Sequence, residues 1–266
     1  MTCDTDLQYG GETFIAASHF ARNHSRSIDR SELKQDAART SDGVASHLTG
    51  AVALGRVLVR LPRIDVRLSD SPSGREIDSY LRKRARGLHH NRIAQGVLCL
   101  PEHPAEYLRG RSRQAVRTNL RRAEAAELHC VVVPDLDERR GAAAELGMEE
   151  WTPKLVDRPG DPVWVAHNGT SKSVGMLWAT VDREWAMLRL LTTSRSEARY
   201  ALHTALVSDL CSRGVRYLFV REASALLLPP GLQYLQRLLG YRVVHLRVPR
   251  KAAPTVPTSL TAGVQR

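Results

Sequence analysis

Aromatic residues are scarce in this chain: Phe, Trp and Tyr together make up 5% of its 266 residues. So few π-faces argue against a surface that stacks the bases of single-stranded nucleic acid, although contact with a phosphate backbone needs none. Cysteine is equally sparse. Cys3, Cys99, Cys130 and Cys211 lie far apart and form no C-x-x-C pair, which excludes a zinc knuckle and a redox dithiol. Cys99 and Cys130 sit in apolar runs and are expected in the core. No long apolar run exists either. The opening MTCDTDLQYGGETF has no apolar signal core, and AVALGRVLVRL is interrupted by Arg56 and too short to span a bilayer. Scattered cysteines without a secretion signal predict a cytoplasmic protein with no membrane span. Two catalytic signatures are missing as well. No G-x-x-x-x-G-K-[ST] loop occurs, and Ser224 lies in no G-x-S-x-G context, so triphosphate hydrolysis and a serine hydrolase triad are unsupported. His89, His90 and His103 come without an acidic companion, and no metal is expected.

Positive charge is abundant. The net formal charge is +11 and the pI is near 10.0. Such a balance favours anionic partners: nucleic acid, phosphate-rich cofactors or anionic lipid heads. Arginine far outnumbers lysine, a usage that genome composition also produces. With 42% apolar residues, a sizeable core is within reach.

The chain divides by pattern. Residues 1–50 are polar and weakly periodic and read as a loosely packed segment; from residue 251 a Pro/Thr/Ala-rich stretch reads as a tail. Between them, residues 51–127 and 128–250 form two halves. In the first, AVALGRVLVRL and IDVRLSD read as two strands around Pro62, SPSGREIDSYLRKRARGL as a helix and RIAQGVLCLP as a strand. The basic segment from Pro104 to Leu128 reads as one long helix. HCVVVPD, which follows it, reads as a short buried strand. In the second half, DLDERRGAAAELGMEEW is a helix and PVWVAH a strand. KSVGMLWATVD and REWAMLRLLTT are strands joined by a hairpin turn at Asp182-Arg183-Glu184. SEARYALHTALVSDLCSRG is an amphipathic helix stopped by Gly214, VRYLFVRE a strand, PPGLQYLQRLLG a helix ended by Gly240, and YRVVHLRVP the last strand. The order of the first half repeats the later part of the second, which predicts a degenerate internal repeat.

The order over residues 128–249 resembles the Gcn5-related N-acetyltransferase (GNAT) superfamily. Leu239-Gly240-Tyr241 looks like that family's closing helix and strand: glycine permits a left-handed cap and the aromatic covers the helix end. RTNLRRAEAAEL followed by an apolar strand is similar to the FemAB-like and BioF2-like branch, whose members often carry two GNAT-like halves. The resemblance implies an α/β (α+β) fold: a mixed, mostly antiparallel sheet with flanking helices. It implies transfer of an acyl or aminoacyl group to a small-molecule or peptide amine. The donor is acetyl-CoA or another acyl-CoA, or alternatively an aminoacyl-tRNA. The chain departs from the family at two places. The donor loop, glycine-rich in most members, is Thr192-Thr193-Ser194-Arg195-Ser196-Glu197-Ala198-Arg199 here, with Arg195 and Arg199 offering charge where glycine would offer backbone N–H groups. The family's frequent tyrosine acid, four residues before the closing glycine, is Gln236, and Tyr234 falls on another helix face.

Candidate residues follow. Thr192, Thr193, Ser194, Arg195, Ala198 and Arg199 form the donor loop at a helix N-terminus, which attracts anions whatever its sequence; as a plain helix start, it would be capped by Ser194 or Ser196. Arg109, Arg113, Arg117 and Arg121 are spaced four apart and form one ridge, with Glu124 within it. This ridge fits a phosphate chain or, equally, a solvated helix face. Asn119 lies near the apolar side, where a structural hydrogen bond is expected. Glu222 and Ser224 follow the strand after the donor-loop helix and are the candidates for catalysis, with Glu149, Glu150, His167 and Glu184 near other strand ends. The second functional reading is a non-catalytic GNAT-like module binding tRNA, other nucleic acid or an acidic protein through Arg113, Arg117 and Arg121.

Overall fold

The computed structural model describes residues 58–84, 91–148, 160–221, 225 and 228–249. In chain order the elements are β1 (Arg63–Asp65), α1 (Pro72–Arg82), β2 (Gln95–Cys99), α2 (Pro104–Tyr107), α3 (Gln114–Ala125), β3 (His129–Val132), α4 (Leu136–Glu145), β4 (Val163–His167), β5 (Ser173–Asp182), β6 (Trp185–Thr193), α5 (Ser196–Ser212), β7 (Tyr217–Val220), α6 (Pro230–Leu239) and β8 (Arg242–Arg247). The strands form one eight-stranded sheet in the order β1-β8-β2-β7-β6-β5-β4-β3. Only β1·β8 and β6·β7 run parallel; the other neighbours are antiparallel. This is a mixed, mostly antiparallel sheet with flanking helices. Segment 51–127 supplies β1 and β2, and β2 is threaded between β7 and β8 of the other half.

Helices cover both faces, so the central strands are apolar throughout rather than alternating. One face meets α3, α5 and α6 in a core that includes Val116, Leu177, Ala186, Leu188, Leu202, Leu206 and Leu239. On the other face α1 brings Ile77 and Leu81 to Trp185, Met187 and Phe219, and α4 brings Ala142 and Ala143 to Val163, Met176 and Trp178. The hairpin between β5 and β6 closes at Asp182↔Trp185, with Arg183 in the left-handed region at φ 51°.

Three sequence expectations change. The basic segment is no single helix. α2 makes one turn, Gly110 then takes φ 84°, a 3₁₀ turn follows at Arg111–Arg113, and α3 begins only at Gln114. A left-handed residue cannot continue an α-helix, and that conformation sets the break. Leu58, Val59 and Arg60, expected in a strand, are helical, and of the next stretch only Ile64 and Asp65, together with Arg63, form β1. HCVVVPD does form β3, but as the edge of the sheet. Its one free flank leaves Val131 and Val132 exposed rather than buried.

α6 ends as the sequence predicts. Gly240 is left-handed at φ 86°, and Tyr241 N–H reaches back to the Gln236 carbonyl at 2.9 Å. The guanidinium of Arg113 occupies the space a side chain at Gly240 would need. Glycine is thus required twice over at this position.

Candidate active site

The sheet opens at its centre. β6 and β7 pair in parallel from Trp185↔Tyr217 to Leu188↔Val220, and the last bond is Arg221 N–H to the Leu188 carbonyl at 2.8 Å. β7 stops there, while β6 continues to Thr193, still paired with β5 on its other side. The parting coincides with a β-bulge. Trp178 faces Leu190 and Ala179 faces Leu188, so Arg189 has no opposite residue on β5. A bulge bends its strand and shifts the side-chain alternation by one. The shift is visible in the packing: Leu188 and Leu191 both enter the core on the α5 face, while Leu190 packs on the opposite side with Trp178.

Arg189 anchors the bulge. Its guanidinium lies 4.0 Å from the centre of the Trp178 ring, forms an ion pair with Glu76, and stands 3.8 Å from Asp161. The side chain is 4% exposed. Asp161 in turn accepts from Thr180 Oγ1 at 2.8 Å and Trp178 Nε1 at 3.3 Å. A buried charge is tolerable only with such partners, so the strand cannot straighten without stranding a cation in the core. On the other lip, Gln95 Nε2 from β2 donates to the Val220 carbonyl at 2.6 Å and fixes the end of β7.

Beyond the parting lies a cleft of about 130 Å³. Its walls are the free end of β6, Arg199 and His203 from α5, Leu235 and Gln236 from α6, and Tyr241. Half of the lining residues are leucine, with a few polar groups at fixed places, the usual make-up of a small-molecule site. No carboxylate lines it among the described residues.

A buried polar chain forms one wall. His203 is fully buried; its Nδ1 lies 3.2 Å from Tyr107 Oη and its Nε2 3.0 Å from Tyr241 Oη. Tyr107 Oη also reaches the Leu239 carbonyl at 3.2 Å, one of the carbonyls that the C-terminus of α6 leaves without a helical partner. Arg113 stands behind, 5.1 Å from the Tyr107 ring centre, and donates from Nη1 to the Leu238 carbonyl at 3.1 Å. Burial, with a smaller push from the Arg113 charge, pulls the His203 pKa down to about 3, so the ring is neutral at physiological pH. Burial also raises the Tyr107 phenol above its ordinary value.

The expected site residues distribute as follows. Arg199 lines the cleft, and Arg195 is exposed as the N-cap of α5. Thr192 and Thr193 close the free end of β6. Ala198 is wholly buried and packs in the core. Neither serine caps the helix: Ser194 Oγ donates to the Val174 carbonyl at 3.1 Å, and Ser196 Oγ donates to Glu197. Glu197 sits in the first helical turn; its own backbone N–H first, then Ser196, Arg195 and Arg122, hold its carboxyl below the ordinary value against the opposing effect of burial. Of the arginine ridge, Arg113 caps α6, and Arg117 donates to the Leu108 and Gly110 carbonyls at 2.5 and 2.8 Å; Arg121 is exposed. Asn119 donates back to the Ala115 carbonyl at 2.8 Å, a structural bond. Glu222 and Ser224, like Glu149 and Glu150, lie outside the described residues. His167 and Glu184 are not among the residues of the cleft. Tyr234 is exposed beneath Arg237 on the outer side of α6. Gln236 does line the cleft, its Oε1 packed so closely on Gly96 that a side chain there would meet it at 2.7 Å.

Sequence reasoning missed Tyr107, His203 and the role of Arg113. One signal was available: Arg199 and His203 are four apart on α5, and a histidine among Leu202, Leu206 and Leu210 marks a polar group on a buried helix face. The break at Gly110, which turns Tyr107 and Arg113 inward, has no comparable pattern in the sequence.

No family model and no curated protein matches the chain. Among solved structures, it is similar to a conserved protein of unknown function from Bacteroides thetaiotaomicron, at 13% identity and a TM-score of 0.40, over 58% of this chain and 60% of that one. It is similar to the C-terminal domain of a putative lysylphosphatidylglycerol synthetase from Agrobacterium fabrum at 14% identity and a TM-score of 0.40, over 56% and 58% of the two chains. A GCN5-related N-acetyltransferase from Kribbella flavida is similar at 17% identity and a TM-score of 0.34, over 45% and 48%. The chain thus spans 60% or less of each of these structures. At this level of likeness the chemistry has to be read from the cleft itself.

Proposed function

We propose that this protein is an acyltransferase that moves an acyl or aminoacyl group from a polyanionic carrier to an amine. One observation carries the reading: β6 and β7 part at Leu188, and the gap opens beside the start of α5, where Arg195 and Arg199 stand. A parted pair of strands leaves room for an extended thioester or ester arm, and two guanidinium groups at a helix N-terminus suit the phosphates that follow it. The cleft is sized for the arm and not for a whole nucleotide, which would lie outside against α5. Catalysis in such a site comes from holding the two reactants together and from neutral proton donors and acceptors at fixed places. The carrier is a CoA thioester, with aminoacyl-tRNA as the alternative. Use of the arginine helix as a nucleic-acid grip is the weaker reading, because Arg113 and Arg117 already serve backbone carbonyls.

Thermal shift against CoA, acetyl-CoA and longer acyl-CoAs tests this reading. A ligand at a hundred times its Kd stabilises by about 2.7 kcal/mol, and Arg199→Ala should remove most of the shift. No response to any of these, with steeply salt-dependent binding of tRNA that does not require an aminoacyl group, would overturn it.

A further inference from the structure

We propose that the group carried into the cleft is an uncharged acyl chain of several apolar carbons, and that Gln236 selects it by hydrogen-bonding its carbonyl oxygen. The class of ligand rests on the transferase reading, and the selection rests on the wall of the cleft. α6 turns one stripe toward that space: Leu232, Leu235, Gln236 and Leu239, three and four positions apart, all line it. Leu191 and Val220 line it from the parted strands, and both, like Leu235, are only partly buried. Leucine and valine surface left open in a chamber is best covered by hydrocarbon. An acetyl group brings one methyl to it; a longer chain covers more.

Gln236 interrupts the leucine stripe. It is 7% exposed, and its Oε1 has no hydrogen-bond partner. The two other buried glutamines each hold backbone: Gln95 donates from Nε2 to the Val220 carbonyl at 2.6 Å, and Gln233 to the Leu228 carbonyl at 2.8 Å. No side-chain bond of that kind ties Gln236 among the described residues. A buried polar side chain without such a bond, set in the wall of a cleft, is accounted for by a partner that arrives in the cleft. Its oxygen packs on Gly96, where the absence of a side chain makes the room it occupies. With the oxygen against β2, the amide nitrogen is the atom left to meet a ligand, and it carries two donors and no acceptor. A carbonyl oxygen is the group it matches.

The charge around the cleft points the same way. Arg199 lines it, as does the Arg189 that pairs with Glu76, and no carboxylate does among the described residues. Burial and the Arg113 charge already keep the His203 ring in the same wall unprotonated. An ammonium brought here exchanges water for leucine, meets the Arg199 guanidinium and finds no counter-ion among those residues. A cationic aminoacyl group is selected against on these grounds, and of the two donor classes the plain acyl ester fits the wall.

The test uses the full chain and two CoA esters of one shape, butyryl-CoA and β-alanyl-CoA, in which a terminal methyl is exchanged for an ammonium; Kd is read by calorimetry. Butyryl-CoA should bind more than about tenfold tighter than β-alanyl-CoA. Gln236→Leu suits the leucine stripe and should leave thermal stability at or above that of the parent. It should weaken butyryl-CoA about tenfold, the scale of one hydrogen bond between neutral groups, and leave free CoA within about twofold. Gln236→Glu should bring β-alanyl-CoA level with butyryl-CoA or beyond it. The proposal is overturned by equal or tighter binding of β-alanyl-CoA to the parent, by unchanged binding of butyryl-CoA to Gln236→Leu, or by an unchanged gap between the esters in folded Gln236→Glu. If the parent binds neither ester, the choice of carrier fails, and the carrier-free pair N-methylbutyramide and N-methyl-β-alaninamide decides. Movement of the Gln236 side-chain amide NMR signal with the neutral member alone upholds the selection; no movement, or movement with the cationic member, overturns it.

Discussion

Between Leu188 and Arg189, β6 passes from one kind of surroundings to another. Residues 185–188 have a strand on each side and side chains locked into cores on both faces; residues 189–193 keep β5 but lose β7, and Arg189, Leu190 and Leu191 line a cleft. Residues 185–188 are all apolar, whereas 189–193 include Arg189, Thr192 and Thr193. They are also separated by a single extra residue, Arg189, which has no opposite residue on β5 and whose charge is paired with Glu76. A strand can thus serve as scaffold at one end and line a cleft at the other.

The contrast can be broken most severely at the bulge. Arg189→Ala leaves Glu76 and Asp161 partly buried without their cation, and a loss of about 3–5 kcal/mol is expected, read by urea denaturation. The two halves should also differ in plasticity. Leu188→Ala, at a position 5% exposed, should cost about 2–4 kcal/mol, and Leu191→Ala, half-buried at the cleft, should cost under about 1.5 kcal/mol because less contact is lost there. Equal losses would mean that the parting is not a real boundary. A finer test comes from His203. Its folded pKa is depressed to about 3 from 6.5, so below pH 6.5 the unfolded chain binds a proton that the folded chain refuses. Stability should therefore fall as pH drops from 6.5 toward 3, and His203→Gln should flatten that slope in denaturation curves taken across the window. The smallest effect is expected at Arg121→Ala, an exposed position with no anchoring role, which should change stability by less than about 0.5 kcal/mol, whereas Arg113→Ala should be plainly destabilising in the same assay.

Much of the sheet was legible in the sequence. Apolar runs with turn signals marked β4 to β8, and Asp182-Arg183-Glu184 marked the hairpin. Pro229-Pro230 and Gly240 bracketed α6, because start and stop residues act locally. The start of α5 was legible for the same reason. Exposure of β3 was not, since Val131 and Val132 look like core until the strand order places β3 at the edge of the sheet among the described residues. The bulge at Arg189 is equally silent: an arginine in a strand gives no sign that Trp178, Asp161 and Glu76 wait on the far face. The Tyr107–His203–Tyr241 chain joins residues 96 and 38 positions apart, and only the fold brings them together.

The placement of β2 has a consequence for biosynthesis. Both of its neighbours, β7 and β8, lie in the last part of the chain. During translation, this apolar segment emerges from the ribosome with no partner strand yet made, and it must stay unpaired until Tyr217 and the residues after it have been synthesised. Such long-range closure slows folding and prolongs exposure to aggregation, so the nascent protein should depend on chaperone protection far more than the order of its C-terminal hairpin would imply.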